Sequence, residues 1–227
     1  MGKLIIIEGK TDGVGKETQT KALYERLVRE GYSVRKITFP NYGTPACVPV
    51  ESYLNGDLGD NPGAVNPYAV SSLYANDRFF SFVQDWGRFY EEGGIIISDR
   101  YTTSNMIHQA SKITDAHEKN TYLDWLYDLE FNKYKLPVPD SVIFLDVPLE
   151  VSAQLMANRK NKINGTDNKD IHEKDLNYLK VCSENADYIA TKYNWNKIKC
   201  VDNDSMRSIE SIHEDIYSVV SQLLSNS

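Results

Sequence analysis

The sequence predicts an α/β fold of three layers, in which a five-stranded parallel sheet is covered by helices on both faces. Strand and helix patterns alternate along nearly all of the 227 residues. Short connections between such elements favour right-handed βαβ units, whose strands run parallel. The first strand also passes directly into a glycine-rich turn and a helix, which is a βα unit of the kind that opens such sheets.

Five short apolar runs have the composition of buried strands, namely residues 4–7, 34–39, 95–97, 142–145 and 198–201. Six stretches have helical patterns, namely residues 17–30, about 67–91, 119–134, 149–158, 170–193 and 208–224. In the last of these, apolar residues recur at helical spacing at positions 209, 212, 216, 219, 220 and 223, so one face is expected to pack inward. Neither a fixed repeat nor a long linker divides the chain. We therefore predict one domain over residues 1–227.

Two segments lack a regular pattern. Residues 40–67 are rich in Gly, Pro and Asn, with a short helix near 50–54, and are either an ordinary surface loop or part of a site. Residues 158–170 are polar, basic and contain a glycine. Such a segment suits a mobile lid over an anionic ligand, and it also suits an ordinary loop.

Composition limits the class of protein. A hydrophobic content of 41% is enough for a sizeable core, and the chain contains no apolar run of the roughly 18 residues that a membrane span needs. The amino terminus has no basic and then apolar leader, and three cysteines show no metal-ligand spacing. We expect reduced thiols and a cytoplasmic protein. The net charge of −7 argues against a general nucleic-acid binder but leaves room for a small anionic ligand.

Residues 9–18 resemble a P-loop, in which backbone amides, a helix amino terminus and a lysine surround a polyphosphate. Gly13 and Gly15 let the chain curl close to an anion, and Lys16 adds a full positive charge. The match to the pattern is imperfect, because one extra residue separates Gly9 from Gly15 and Glu17 replaces the usual hydroxyl residue. The alternative is a structural glycine turn between a strand and a helix.

Asp99 and Arg100 follow the buried run at 95–97. Two charges at the end of such a strand are costly unless they have partners or a function. Asp99 is a candidate to hold Mg²⁺ directly or through water, and Arg100 is a candidate to bind a second phosphate. The alternative is an Asp–Arg pair that caps the following turn.

Tyr74 and Arg78 are four residues apart in the predicted helix at 67–91 and therefore share a face. An aromatic ring and a guanidinium group on one face suit stacking on a base and hydrogen bonding to its edge. The same pair is common at the edge of a hydrophobic core, and the pattern alone favours that structural interpretation.

Taken together, these motifs resemble the thymidylate kinase family of P-loop nucleoside monophosphate kinases, over essentially the whole chain. Residues 8–19 are similar to the family's E-G-x-D-G-x-G-K-x-T-Q, and residues 99–105 match D-R-Y-x-x-S-[SN]. Phe39-Pro40 resembles the family's F-P after the second strand, and residues 136–140 resemble its L-P-x-P-D before the fourth. The resemblance implies a P-loop kinase fold, ATP and Mg²⁺, a pyrimidine deoxynucleoside monophosphate as acceptor, and a homodimer.

The resemblance also implies roles for single residues. ATP would be bound by Gly13, Val14, Gly15, Lys16, Glu17 and Thr18, with Arg159, Lys160 or Lys162 from the lid. The acceptor would be bound by Asp12 at its 3′-hydroxyl, by Arg100 at its 5′-phosphate, and by Phe39, Tyr74, Arg78, Ser104, Asn105, His108 and Gln109 around its base and sugar. The expected catalytic residues are Lys16, Asp99, Arg100 and Arg159, and the expected metal ligands are Glu17 and Asp99.

Four departures from the family pattern qualify this assignment. Thr38 replaces an arginine that some members place before Phe39, and His108 replaces a tyrosine that crowds the 2′ side of the sugar. The loop carries one extra residue, most simply Lys10 or Thr11, and Glu17 replaces the metal-binding hydroxyl. Glu17 is either a substitute metal ligand or a cap on the first helical turn. The predicted activity is ATP-dependent phosphorylation of dTMP; the alternatives are a deoxynucleoside kinase and a nucleotide-binding protein without turnover.

Overall fold

In the computed structural model, which describes residues 1–156, 171–203 and 205–225, five parallel strands form one sheet. The strands are β1 (Lys3–Gly9), β2 (Val34–Thr38), β3 (Ile95–Asp99), β4 (Ser141–Asp146) and β5 (Asn196–Lys199). Their order is β2-β3-β1-β4-β5, so the P-loop strand lies in the middle. The five-stranded parallel sheet predicted from the sequence is confirmed. A small antiparallel ribbon, β6 (Val201–Asp202) and β7 (Ser205–Met206), was not predicted.

The helices lie on both faces of this sheet. They are α1 (Lys16–Arg29), α2 (Val48–Asn55), α3 (Pro67–Ser81), α4 (Gly87–Glu91), α5 (Thr102–His108), α6 (Ala116–Tyr127), α7 (Leu149–Met156), α8 (Ile171–Lys174), α9 (Leu176–Lys192) and α10 (Ile209–Ser225). Within the described residues, α7 ends at 156, and the predicted lid at 158–170 lies outside them.

Two of the predicted helices are interrupted or extended by a π-helical turn. The predicted helix at 67–91 consists of α3, a π-helical turn Phe82–Trp86 and α4. The predicted helix at 119–134 begins earlier, at α6, where Asp115 caps the backbone N–H of Glu118, and it ends in a second π-helical turn, Asp128–Lys133. Hydrophobic spacing did not predict either wide turn, because the two turns span only five and six residues.

Two other helices also differ from the prediction. The predicted helix at 170–193 is divided before α9, where the Asp175 side chain accepts a hydrogen bond from the Tyr178 N–H. The short helix α5, directly after β3, was not predicted, because its seven residues are too few to show a periodic pattern.

Alternate residues of β1 supply two separate cores. Ile5 and Ile7 pack with α1 and α10 on one face, where Ile216 is fully buried. Leu4 and Ile6 pack on the other face with Trp86 of the first π-helical turn. Full burial of each such side chain stabilises the fold by roughly 1.5–3 kcal/mol. In the part of the chain that the structure describes, no helix is both long and apolar enough to cross a membrane.

The carboxyl ends of the central strands meet at one edge of the sheet. Ile7 pairs with Asp99, and Thr38 also pairs with Asp99. Gly9 at the end of β1 pairs with Leu145 of β4. The register therefore brings the glycine-rich loop and the Asp99-Arg100 segment together, as ligand sites in parallel sheets require.

Candidate active site

The loop between β1 and α1 has the backbone of a tight glycine turn. Gly13 and Gly15 have φ values of 78° and 91°, in the left-handed region that favours glycine. Gly9 is needed for a different reason, because a Cβ atom there would lie 2.5 Å from Cγ2 of Val14. Val14 itself is buried, and Thr18 lies exposed in the first turn of α1. The strand, turn and helix predicted for residues 4–30 are confirmed.

Lys16 begins α1 with its side chain almost fully buried. Its ammonium group donates a hydrogen bond to the backbone oxygen of Thr11 at 2.6 Å and lies 3.9 Å from Oδ1 of Asp12. Desolvation, followed by the positive charge of Arg100, lowers the pKa of Lys16 to about 8. A buried ammonium at the amino terminus of a helix suits a polyphosphate, whose charge would compensate for this loss of hydration.

The extra residue of the loop is held by contacts outside the loop. Lys10 Nζ lies 2.8 Å from a carboxylate oxygen of Asp146 at the end of β4 and 2.8 Å from one of Asp187 on α9. Desolvation lowers the pKa of Lys10, but hydrogen bonds to both carboxylates outweigh it, so the net pKa is raised. The buried Thr11 hydroxyl donates to Ser152 Oγ on α7 at 2.9 Å. These contacts hold Lys10 and Thr11 in place, and one of these two is the inserted residue.

We expect Lys10→Met to raise the KM for ATP, because the loop loses its attachment to β4 and α9. A loss of about 1 kcal/mol in loop positioning corresponds to a roughly fivefold change. Steady-state kinetics with each substrate varied in turn measures this effect, and the KM for the acceptor should not change. Lys197→Met is the matched control, because Lys197 also binds Asp187, at 3.4 Å, but lies outside the loop. Equal ATP KM values in the two variants would exclude a role for Lys10 in holding the loop.

Arg100 lies at the centre of a charged cluster beside this loop. It has a left-handed backbone, with φ 69°, and its Nη2 donates to Asp12 Oδ1 at 2.6 Å. Its Nη1 donates to Ser104 Oγ at 3.1 Å and lies 3.8 Å from Glu8 Oε1. Burial lowers the pKa of Arg100, but the charges of Asp12, Glu8 and Asp99 outweigh burial and raise it. The guanidinium therefore stays charged.

Glu8 is a residue whose importance the sequence analysis missed, since it entered only as part of a motif. The side chain is fully buried, and its Oε2 accepts hydrogen bonds from Thr103 at 2.8 Å and Ser104 at 2.7 Å. A carboxylate inside an otherwise apolar strand was the signal that could have identified it. Glu8 fixes the start of α5 next to Arg100.

His108 also lies beside Arg100, with its Nε2 3.4 Å from Arg100 Nη1. Its ring stacks on His172 of α8, with centroids 6.0 Å apart. Burial and the charge of Arg100 lower the pKa of His108 well below its usual value, so the ring is neutral near pH 7. No pattern in the sequence pointed to His172, which is also bonded to Tyr53 at 2.8 Å.

Arg78 is completely buried and paired with Glu130, also completely buried, from the second π-helical turn. Arg78 also donates to Asn105 Oδ1 at 3.0 Å. Arg78 and Asn105, both predicted to contact the base, are therefore brought together. The side-chain oxygen of the buried Gln109 accepts no hydrogen bond from any described residue.

Phe39 and Tyr74 occupy different environments. Phe39 is only 3% exposed and packs beside Tyr101 within the core of one sheet face. Tyr74 is half-buried against the cluster formed by α2 and α3, so part of its ring is accessible.

The two candidate metal ligands differ in exposure. Glu17 is exposed in the first turn of α1, and Asp99 is buried at the end of β3. The described residues contain no group of three or more His, Cys, Asp or Glu side chains arranged around a common metal position. In kinases, Mg²⁺ is usually bound by one or two carboxylates together with substrate phosphates and water. Arg159, Lys160 and Lys162 lie outside the described residues.

Comparison with known protein sequences gives consistent matches. A family model described as thymidylate kinase matches residues 7–216. A thymidylate kinase of Mycobacterium tuberculosis is 31% identical over 175 residues, which cover 76% of this chain and 78% of that protein. A probable thymidylate kinase of Thermococcus gammatolerans is 31% identical over 224 residues, covering 98% of this chain and 97% of that protein.

Solved structures show the same architecture. The thymidylate kinase of Candida albicans superimposes with a TM-score of 0.69 at 21% identity, covering 97% of this chain and 92% of that chain. The thymidylate kinase of Ehrlichia chaffeensis superimposes with a TM-score of 0.67 at 20% identity, covering 96% of this chain and 98% of that chain. The predicted P-loop kinase fold is confirmed.

Proposed function

The chain belongs to the thymidylate kinase family, and on that basis we propose that it transfers the γ-phosphate of ATP to dTMP, giving ADP and dTDP. The observation that carries this proposal is the position of Asp12 between two cations. Asp12 Oδ1 lies 2.6 Å from Arg100 Nη2 and 3.9 Å from Lys16 Nζ. One cation belongs to the P-loop and the other to the end of β3, so each is available to a different phosphate group.

The residues divide into a donor side and an acceptor side. On the donor side, Lys16 and the backbone from Gly13 to Thr18 would bind the β- and γ-phosphates of ATP. On the acceptor side, Arg100 would bind the 5′-phosphate of dTMP, and Asp12 would orient Arg100 and accept a hydrogen bond from the sugar. Phosphoryl transfer depends on alignment and charge stabilisation, and this cluster supplies both without a covalent intermediate.

A panel of nucleoside monophosphates, with ATP and Mg²⁺, tests this function directly. We expect the highest kcat/KM with dTMP and conversion to dTDP, measured by chromatography of the products. Thymidine is included because a deoxynucleoside kinase would phosphorylate it in preference to dTMP. Either that preference or ATP binding without turnover of any monophosphate would overturn the proposal.

Mg²⁺ is the proposed cofactor, held by Asp99 or Glu17 and by the phosphates of ATP. When bound, the ion would neutralise charge on the phosphates and orient them for in-line transfer. Support comes from the burial of Asp99 beside the loop and from the position of Glu17 in the first turn of α1.

For Glu17→Ser, we expect a shift in the Mg²⁺ dependence of kcat, because a hydroxyl group replaces a carboxylate near the metal. Activity measured across a Mg²⁺ titration gives the concentration for half-maximal rate, which should rise. The matched control is Glu25→Ser, which lies on the exposed face of the same helix and pairs only with Lys21 in the described residues. An unchanged Mg²⁺ requirement in Glu17→Ser would leave Glu17 as a cap on the helix, where it stabilises by about 0.3–1 kcal/mol.

A homodimer, a single domain and a cytoplasmic location complete the proposal. Support for the dimer comes from Phe80 and Val83, which are 46% and 65% exposed near the first π-helical turn. Sedimentation velocity measures the oligomeric state, and a monomer at micromolar concentration would exclude the dimer.

The three buried, unpaired cysteines are consistent with a reducing compartment.

A further inference from the structure

Glu130 is a fully buried carboxylate that binds the guanidinium group of Arg78 at two points. Arg78 Nε donates to Glu130 Oε2 at 2.7 Å, and Arg78 Nη2 donates to Glu130 Oε1 at 2.6 Å. Glu130 Oε2 also accepts a hydrogen bond from the Thr102 hydroxyl at 2.6 Å. Two parallel hydrogen bonds fix both the position and the plane of the guanidinium.

The hydrogen bonds use specific donors of Arg78. A guanidinium has five N–H donors, one on Nε and two on each terminal nitrogen. Glu130 takes the Nε donor and one Nη2 donor, and Asn105 Oδ1 takes the other Nη2 donor. Nη1 donates to no described residue. Its two N–H groups are therefore the part of Arg78 that remains available to a ligand.

Contacts with α5 relate Arg78 to the proposed site of the acceptor nucleotide. Asn105 follows Ser104 in α5, and Ser104 contacts Arg100, which is the proposed site of the acceptor phosphate. Arg78 and Arg100 therefore contact consecutive residues of α5. A nucleotide with its phosphate at Arg100 would extend its base toward such a position.

A buried ion pair of this kind is expensive as a purely structural element. Desolvation of two charges costs several kcal/mol, and well-packed apolar residues often stabilise a fold equally well. Desolvation lowers the pKa of Arg78, but the charge of Glu130 outweighs it, so the net pKa is raised. The pair thus keeps a permanent donor in place inside the protein.

The family resemblance already implies that Arg78 contacts the edge of the acceptor base. We propose that Glu130 is the positioning residue for this contact, because it orients Arg78 so that Nη1 can donate hydrogen bonds to a carbonyl oxygen of the base. This inference rests on the proposed function. It predicts selection for a base with a carbonyl group at that edge, since an amino group there would oppose the N–H groups of Nη1. Glu130 acts through Arg78 and does not touch the substrate.

The test compares three variants: Glu130→Gln, Arg78→Met, and the double variant Arg78→Met with Glu130→Met. Glu130→Gln places an amide NH₂ against a guanidinium donor, and we expect the KM for dTMP to rise about tenfold or more. The KM for ATP should stay within about twofold of the wild type, because the P-loop is not in contact with the pair. The preference for dTMP over dCMP should also fall.

The double variant distinguishes positioning from structure. Removal of both charges should restore the melting temperature lost in the single variants. The KM for dTMP should remain as high as in Arg78→Met. If the double variant recovered the wild-type KM together with its stability, the pair would be structural and the inference would be overturned. An unchanged KM for dTMP in folded Glu130→Gln would also overturn it.

Ile216→Ala is the control for stability alone, because Ile216 is fully buried on the opposite face of the sheet. It should lower the melting temperature and leave the KM for dTMP unchanged. The activity of the wild type toward dTMP distinguishes failure of this inference from failure of the proposed function. If the wild type fails to phosphorylate dTMP, the function is wrong; if it succeeds and Glu130→Gln matches it in KM, only the role of Glu130 is wrong.

Discussion

Replacement of Lys16 by methionine should lower kcat by about 10³-fold or more, since a cation that stabilises the transferred phosphoryl group has an effect of that order in such enzymes. Methionine has a similar length and fills the same buried position without the charge. Because burial lowers the pKa of Lys16 to about 8, the folded state holds this proton less tightly than the unfolded state. The charged lysine therefore costs stability below pH 8, and Lys16→Met should be at least as stable as the wild type at pH 7.

Single-turnover kinetics and thermal melting measure these two effects separately. Lys21→Met is the matched control, because Lys21 lies on the same helix with an exposed side chain, 3.8 Å from Glu25. It should keep wild-type kinetics. Retention of most of the activity in Lys16→Met would show that the loop does not act as a P-loop.

The same pKa predicts a pH profile for the wild type. Without nucleotide, Lys16 loses its proton as the pH rises through about 8, so kcat/KM for ATP should fall above that pH. Bound phosphate favours the charged amine, and kcat at saturating ATP should therefore fall only at higher pH.

Replacement of Arg100 by methionine should raise the KM for dTMP by about 100-fold or more, since truncation of one partner of a buried charge pair costs roughly 2–5 kcal/mol. The variant loses the cation for the acceptor phosphate and leaves Glu8 and Asp12 to repel that phosphate. We therefore expect the preference for dTMP over thymidine to disappear. Competition between the two acceptors, measured by product analysis, tests this.

Two further variants show whether the change in the KM for dTMP is specific to the guanidinium group of Arg100. Arg100→Lys keeps the charge but loses the planar pair of donors, so its KM should lie between those of the wild type and the methionine variant. Arg26→Met is the matched control, because Arg26 also binds two carboxylates, those of Glu30 and Glu214, on the surface away from the site. A wild-type KM for dTMP in Arg100→Met would contradict the assignment of the acceptor phosphate to Arg100.

Local patterns predicted the parts of the site that lie within one short segment. The apolar run before Gly9 and the glycines before Lys16 determine a strand, a turn and a helix together. The same is true of Asp99 and Arg100, since the buried strand before them fixes their place at the edge of the sheet. In both cases neighbouring residues carry all the information needed.

The residues that the sequence did not reveal are joined by long-range contacts. Glu130 is 52 positions away from its partner Arg78, and it lies in a π-helical turn of only six residues. His172 reaches His108 only because α8 packs near α5 in the folded chain. Single-sequence patterns describe how one element buries a face, and they contain little about which polar groups meet across elements.

The longer loop at Lys10 and Thr11 has a consequence for protein engineering. Its attachment points, Asp146, Ser152 and Asp187, lie on three different elements, so the loop is not a transferable module. If it were grafted onto a relative with the shorter loop, it would need all three partners at once. Conversely, variants selected from a random library for altered nucleotide use should carry substitutions at these three positions as well as in the loop itself.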